Sequence, residues 1–163
     1  MPYTMFSSLF PKIAAKQTRT LTVDPKNRYQ LPPDSYGLLE LYCDDEDCDC
    51  RRVFFMVMSE KAQDVVATIS YGWESKDFYA KWFDPNRKAT YDKLDKGDQY
   101  AVDEMYGFQL NPMSPQSKIA PQLLALVEDC VLADEDYIKR LRRHYKLFRA
   151  KVDAKHEKEG ADL

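Results

Sequence analysis

Three of the four cysteines of this chain lie within eight residues, in the pattern Cys43-x4-Cys48-x-Cys50, and this cluster constrains the fold more than any other feature. Two apolar segments flank it, YGLLELYC at 36–43 and RRVFFMVM at 51–58. Short apolar runs rich in aromatic and β-branched residues are typical of buried strands. The sequence therefore predicts a β-hairpin whose tip, DDEDCDC at 44–50, brings the three thiols together.

The segments around this hairpin predict an α+β fold. A strand at 64–71 (DVVATISY) extends the hairpin into an antiparallel β-meander, and 19–23 (RTLTV) and 100–110 indicate further strands. Ser75 is a good cap for a short helix that ends near Asp84-Pro85. Apolar residues recur every three or four positions from 119 to 130 and from 137 to 152, which predicts a C-terminal antiparallel helix pair with Asp134 capping the second helix.

The predicted domain organisation is simple. Residues 19–152 are expected to form a single α+β domain. The segment 1–18 is expected to be a flexible N-terminus, and the polar segment 153–163, which contains His156, a disordered tail.

Composition excludes several classes of protein. The chain has 27 acidic and 24 basic residues, which argues against a uniformly basic nucleic-acid-binding protein. Its 13% aromatic content argues against wholesale disorder. It has no apolar run of the ~18 residues that a membrane-spanning helix needs. Polar residues and a proline interrupt the start of the chain where a secretory signal would be apolar, so we expect a cytoplasmic protein.

The cysteine pattern favours zinc as the cofactor. Zinc takes four tetrahedral ligands with Zn–S distances of about 2.3 Å, and a hairpin tip can direct several thiolates toward one point. Three cysteines leave one position for a distant side chain or for water. A distant side chain makes the site structural, whereas water makes it a possible reactive centre.

Two distant side chains are candidates for the fourth ligand, His144 and Cys130. Zinc with four thiolates carries a formal charge of about −2, against about −1 with three thiolates and one imidazole. The hairpin tip already holds five carboxylates, so His144 is favoured, with Arg51 and Arg52 offsetting the remaining charge and donating hydrogen bonds to sulfur. The alternative for His144 is a histidine at the boundary of the buried stripe, and Cys130 fits a small buried apolar residue.

Other interpretations of the cluster remain open. It can be free of metal, or Cys43 and Cys50 can form a disulfide, which a reducing cytoplasm disfavours. The one-residue gap between Cys48 and Cys50 fits iron–sulfur and dithiol redox motifs poorly. The acidic tip lacks the glycine and the closing glutamate of an EF-hand. The neighbouring carboxylates are expected to raise the pKa of Cys48, which is unfavourable for a nucleophile.

The chain resembles a group of uncharacterised bacterial proteins over roughly residues 30–150. The residues that carry the resemblance are a YCx4CDCRR motif within LELYCDDEDCDCRRV, then ATISYGWES, FYAKWF and the C-terminal stretch QSKIAPQLLALVEDCVLADEDYIKRLRRHYKLFR. Some members of that group carry a C-terminal SEC-C zinc motif, which this chain lacks. A histidine before the tyrosine of the HY pair is usual in the group, and this implies a role for His144. The resemblance implies no activity.

Two blocks of opposite charge lie far apart in the sequence. Seven acidic residues and no basic ones fall between 34 and 50, and seven basic residues fall between 139 and 151. A basic helix can bind nucleic acid or an acidic partner. The favoured interpretation is that the two blocks lie beside each other within one fold. Similarly, the aromatic residues between 71 and 83 fit core packing better than a pocket for a ring.

Three functional hypotheses follow. The favoured one is a structural zinc site in a module that binds a protein partner. The second is a metalloenzyme with an open position on the metal held by Cys43, Cys48 and Cys50, although the chain has no motif of a common catalytic site. The third is nucleic-acid binding through the basic C-terminal helix. The sequence predicts no membrane association.

Overall fold

In a computed structural model that describes residues 3–161, the strands form one antiparallel sheet. Its six strands are β1 (Tyr3–Met5), β2 (Arg19–Val23), β3 (Asp34–Cys43), β4 (Arg52–Ser59), β5 (Asp64–Gly72) and β6 (Gly107–Leu110). The order in the sheet is β1-β3-β4-β5-β6, with β2 also pairing with β3. The predicted α+β class and the central meander β3–β4–β5 are confirmed.

Two short strands, β2 and β1, pair with successive parts of the same edge of β3. β2 pairs with the first half of β3, and β1 pairs with its last three residues, so that Tyr3 lies opposite Cys43. On the other side, Leu41 pairs with Phe54 of β4, which in turn pairs with Ser70 of β5. The end of β3 that carries Cys43 is therefore enclosed by strands on both sides.

Six helices pack around the sheet. They are α1 (Phe6–Leu9), α2 (Pro11–Gln17), α3 (Lys76–Ala80), α4 (Lys96–Met105), α5 (Ala120–Leu132) and α6 (Glu135–Ala161). Both predicted caps are present: Ser75 Oγ accepts a hydrogen bond from the Phe78 N–H at 3.2 Å, and Asp134 Oδ1 accepts one from the Tyr137 N–H at 3.0 Å. Within residues 3–161, no helix combines the length and apolarity needed to cross a membrane.

The prediction of strand structure from residue 100 onward is wrong for 100–105. This stretch belongs to α4, and the strand β6 begins only at Gly107. Asp95 caps α4 by accepting a hydrogen bond from the Asp98 N–H at 2.8 Å. The helix buries Val102 against Tyr79 and Ala80, and this contact outweighs the strand propensity of its aromatic and β-branched residues.

Both segments for which the sequence predicted flexibility or disorder contain regular secondary structure and tertiary contacts. Phe6 is only 2% exposed, and its ring stacks on the His144 imidazole with the ring centres 4.3 Å apart. At the other end α6 continues to Ala161, and His156 Nε2 lies 3.2 Å from the Asp44 carbonyl oxygen. These contacts join residues that are far apart in the sequence, so the local sequence does not reveal them. Residues 1–2 and 162–163 lie outside the described range.

The main apolar core lies between the sheet and the two C-terminal helices. It buries one face of β3 and β4 against α5 and α6, and its fully enclosed side chains include Leu38, Tyr42, Val53, Phe55, Leu123, Val127, Leu141 and Phe148. A smaller cluster lies between α3 and α4. The predicted helix pair at the C-terminus is thus present, with only Ala133 and Asp134 between its helices.

Candidate metal centre

The structure brings three cysteine sulfurs into one group. Cys43 ends β3, Cys48 and Cys50 lie in the following loop, and their Sγ atoms are all within 4.8 Å of one another. Tetrahedral zinc–thiolate geometry needs sulfurs about 3.8 Å apart, so small side-chain rotations suffice to bind an ion. Cys43 and Cys50 are buried, Cys48 is half-buried, and all three are free thiols. The cluster could therefore hold a metal ion.

Two tyrosine hydroxyls fix the backbone immediately after Cys50. Arg51 adopts a left-handed conformation with φ 48°, which is uncommon for a residue with a side chain. Its N–H donates to the Tyr145 hydroxyl of α6 at 3.2 Å, and its carbonyl accepts from the Tyr79 hydroxyl of α3 at 3.0 Å. Burial raises the pKa of both phenols, so each remains a neutral hydrogen-bonding group.

An arginine of α6 holds the other side of the loop. Arg149 donates from Nη1 to the Cys43 carbonyl at 2.6 Å and from Nη2 to the Asp45 carbonyl at 2.7 Å. It also pairs with Asp153 one turn later in the helix, at 2.6 Å. Arg149 is not predicted from the sequence, although it lies four residues after Tyr145 on the same helix face, and this spacing is a signal for it.

The three thiols share protons unequally. Hydrogen bonds from the Cys43 and Cys50 thiols, with smaller contributions from the Cys50 N–H and the charge of Arg149, lower the pKa of Cys48 to about 3. The pKa of Cys43 is raised, first by its hydrogen bond to Cys48, and that of Cys50 is raised by its bonds to both other thiols and by burial. One thiolate thus lies beside two thiol donors.

The expectation that acidic neighbours would raise the pKa of Cys48 is therefore wrong. Two of the five carboxylates of the loop are engaged with other groups: Asp44 accepts a hydrogen bond from the Thr4 hydroxyl, and Asp49 pairs with Arg51 at 3.0 Å. A cation and hydrogen-bond donors surround the Cys48 sulfur instead.

His144, predicted as the fourth ligand, lies outside the sulfur cluster and has both ring nitrogens engaged. Nδ1 is 2.8 Å from Glu40 Oε1, and Nε2 is 2.7 Å from Gln17 Oε1. The imidazole is 1% exposed, and Phe6 covers one of its faces. In this arrangement neither ring nitrogen of His144 is free to bind a metal.

Three other predicted participants make contacts that differ from those predicted. Cys130 is half-buried on α5, where burial raises its pKa, and it does not join the cluster. Arg51 pairs with Asp49 and Glu74, and Arg52 donates to the Glu104 carbonyl at 3.4 Å. Arg149 is the cation whose charge lowers the pKa of Cys48.

The basic helix contacts the rest of the fold largely through main-chain carbonyls. Arg149 contacts the acidic loop, Arg140 donates to the Gln17 carbonyl at 3.1 Å, and Lys151 to the Leu9 carbonyl at 2.9 Å. These contacts support the intramolecular interpretation of the two charge blocks. Because these three basic side chains bind within the fold, fewer than the seven basic residues between 139 and 151 are free to bind nucleic acid.

The aromatic segment also contributes mainly to packing. Tyr71 stacks on Phe108 with ring centres 4.1 Å apart, and Tyr79 is fully buried. Trp82 differs, because it is 40% exposed and lines a cleft of about 320 Å³ beside Cys48. Phe78, Lys81, Arg87 and residues 45–49 form the rest of this cleft, which gives the least buried thiol access to solvent.

The site thus has three metal-binding sulfurs, a loop held by α3 and α6, and one thiol facing a cleft. Among residues 3–161, no fourth histidine, cysteine or carboxylate atom joins the sulfur group. Comparison of the chain with models of protein families, with curated proteins and with solved structures finds no match.

Proposed function

We propose that this protein binds one zinc ion through Cys43, Cys48 and Cys50, and that the zinc is structural. The observation that carries the proposal is the convergence of the three sulfurs to within 4.8 Å of one another. Thiolates are preferred zinc ligands, and the low pKa of Cys48 supplies the first of them without an external base. Zinc would displace the protons of Cys43 and Cys50 on binding.

The loop at 44–50 has few hydrogen bonds of its own, and a metal bound to its cysteines would cross-link it. Among the described residues, the main-chain hydrogen bond from Cys48 N–H to the Asp45 carbonyl, at 3.4 Å, is the one turn-type bond formed within residues 44–50. The loop is otherwise held from outside, by Tyr79, Tyr145 and Arg149. A metal bound to sulfurs at both ends of the loop fixes its conformation in a way that its own backbone does not.

The fixed loop is proposed to form a docking surface for a basic protein partner. Asp45, Glu46, Asp47 and Asp49 are exposed and closely spaced. A rigid acidic element of this kind attracts a cationic surface and binds it with a smaller loss of conformational entropy than a mobile loop would. This makes the protein an interaction module organised by zinc.

Metal analysis tests the proposal. Protein purified without chelators is expected to contain about one zinc per chain, and Cys48→Ser is expected to lose most of it. Cys130→Ser is the matched control, because it removes a thiol outside the cluster and should keep the zinc. Protein that contains no zinc and takes up none on titration would overturn the proposal.

One observation favours a second candidate, a metalloenzyme. The sulfur group has no fourth protein ligand within residues 3–161, and Cys48 lines the cleft of about 320 Å³. Catalytic zinc sites keep one position for water or substrate. Cobalt substitution distinguishes the two candidates: added imidazole should change the visible spectrum of the cobalt protein if the fourth position is exchangeable, and leave it unchanged if a protein ligand closes the site.

A further inference from the structure

Arg52 is a buried cation without a carboxylate partner. Its side chain extends from β4, and the residue is only 9% exposed. Its one hydrogen bond within residues 3–161 runs from Nη2 to the Glu104 carbonyl, at 3.4 Å. Its buried Nε has no partner, and no carboxylate oxygen of the described chain lies within ion-pair distance. The guanidinium carbon lies 5.2 Å from the centre of the Phe54 ring, a cation–π contact that offsets part of the cost of burial but does not neutralise the charge. Burying a charge is costly unless it is paired, so this arrangement points to a missing anion.

The guanidinium lines a cleft of about 370 Å³, separate from the cleft beside Cys48. The sheet forms its floor, and α4 and the segment after β6 form its walls. Phe54, Met105, Leu110 and Met113 give it an apolar lining. Its volume falls in the range of small-molecule sites, which are mostly apolar with few polar groups.

A second polar side chain faces the same space. Ser70 lies across the sheet from Phe54, lines the cleft and is 3% exposed. Its hydroxyl is 3.5 Å from the Gln109 carbonyl, at the limit of a hydrogen bond, so it can turn toward a better acceptor. The cleft therefore offers one cation and one hydroxyl donor beside an apolar surface.

We propose that this cleft binds a small organic acid, with its carboxylate on Arg52 and its apolar body against Phe54, Met105 and Met113. A guanidinium binds a carboxylate through two parallel hydrogen bonds, and this geometry suits an arginine held at the side of a cleft. The carboxylate neutralises the buried charge, and Ser70 donates to it.

Two internal groups are rival partners for Arg52. In the β3–β4 ladder Leu41 pairs with Phe54, so the same register continued by two residues places Cys43 opposite Arg52. Metal-bound thiolates of the cysteine cluster would then be the counter-charge of Arg52. The other rival is the exposed carboxylate of Glu104, which in the structure lies beside Tyr100 and raises the pKa of that phenol. The experiment must distinguish an external acid from both.

Titration of the zinc-loaded full chain with hexanoate, followed by NMR, tests the proposal. Saturable shifts are expected at Phe54, Ser70 and Met113, and hexanamide, which has no charge, should produce none. Arg52→Gln should weaken hexanoate binding about tenfold or more, the loss expected for one charged hydrogen-bonded pair. Lys81→Gln, at the other cleft, is the matched control and should bind hexanoate normally.

A second variant covers the case in which Arg52→Gln does not fold. Met113 is 83% exposed, so Met113→Asp should fold and place a carboxylate at the cleft, where it competes with hexanoate. Weaker binding in this variant supports the proposal. The proposal of an organic-acid site is overturned if hexanoate gives no saturable shifts or if inorganic phosphate binds more tightly than hexanoate. It is also overturned if the Arg52→Gln variant loses zinc but still binds hexanoate. It is also overturned if Glu104→Gln alone creates hexanoate binding that the unmodified protein lacks, because Glu104 is then the native partner.

Discussion

The His144 imidazole and the Glu40 carboxylate form a buried pair, with Nδ1 2.8 Å from Oε1 and both side chains almost completely excluded from solvent. The Tyr42 hydroxyl donates to the same carboxylate oxygen at 2.6 Å, and Gln17 Oε1 accepts from His144 Nε2 at 2.7 Å. Each ring nitrogen thus lies within hydrogen-bond distance of a side-chain oxygen. The pair joins β3, α2 and α6 at one point.

We predict that His144→Ala destabilises the protein and leaves zinc bound. Removing the imidazole takes away the hydrogen-bond partner that α6 gives to the buried Glu40, and such a loss typically costs about 1–3 kcal/mol. Urea unfolding measures the free energy, and metal analysis of the folded variant measures zinc. Glu40→Gln is the companion variant, and the double variant reports the coupling between the two groups. Loss of zinc from His144→Ala with little change in stability would restore His144 as a ligand.

The low pKa of Cys48 predicts a distinctive reactivity in the metal-free protein. With a pKa of about 3, Cys48 is a thiolate throughout neutral pH, so its alkylation by iodoacetamide should be nearly independent of pH between about pH 5 and pH 8. Cys130, whose pKa is raised by burial, should react slowly there and faster as pH rises. Peptide mass spectrometry quantifies each site. Zinc should protect Cys48 and not Cys130, and equal pH profiles for the two residues would contradict the prediction.

Tyr145→Phe and Tyr79→Phe should weaken zinc binding while the fold is retained. Each removes a hydroxyl that holds the Arg51 backbone, at a typical cost of about 0.5–1.5 kcal/mol for one hydrogen bond, and leaves the ring in place. A chelator competition assay measures the affinity. Tyr36→Phe is the control, since its hydroxyl bonds the Pro32 carbonyl away from the loop, at 3.1 Å. If all three variants bind zinc equally, the tyrosines do not position the site.

Asp134 predicts an acid-dependent component of stability. The Tyr137 N–H, and then the charge of Arg19, hold the pKa of Asp134 below its usual value. A carboxylate whose pKa is lower in the folded state stabilises it above the unfolded pKa of about 3.9, and this contribution is lost as pH falls through the folded value. Asp134→Asn keeps a good helix cap without the titration. The melting temperatures of the two proteins should converge as pH falls below about 4, and parallel profiles would refute the assignment.

The meander and the sulfur cluster were predictable because local pattern determines them. Strand-length apolar runs on each side of a short cysteine-rich loop leave few alternatives to a hairpin, and the strand bounds agree closely with the observed β3, β4 and β5. The placement of three thiols at one loop follows directly from that hairpin.

The role of His144 was not predictable from its own surroundings in the sequence. A histidine at the border of an apolar helix stripe looks the same whether it binds a metal or a buried carboxylate. The decisive signal lay a hundred residues earlier, in Glu40, the one charge inside the strand YGLLELYC. A buried carboxylate needs a cation, and a search for that cation could have led to His144.

The first residues of the described chain fold onto some of the last. Phe6 packs on His144, and Tyr3 pairs with Cys43 at the end of β3. Synthesis proceeds from the N-terminus, so Phe6 and its stacking neighbour Phe10 leave the ribosome long before α6 exists to receive them. The stacking of Phe6 on His144 can therefore form only after α6 has been synthesised.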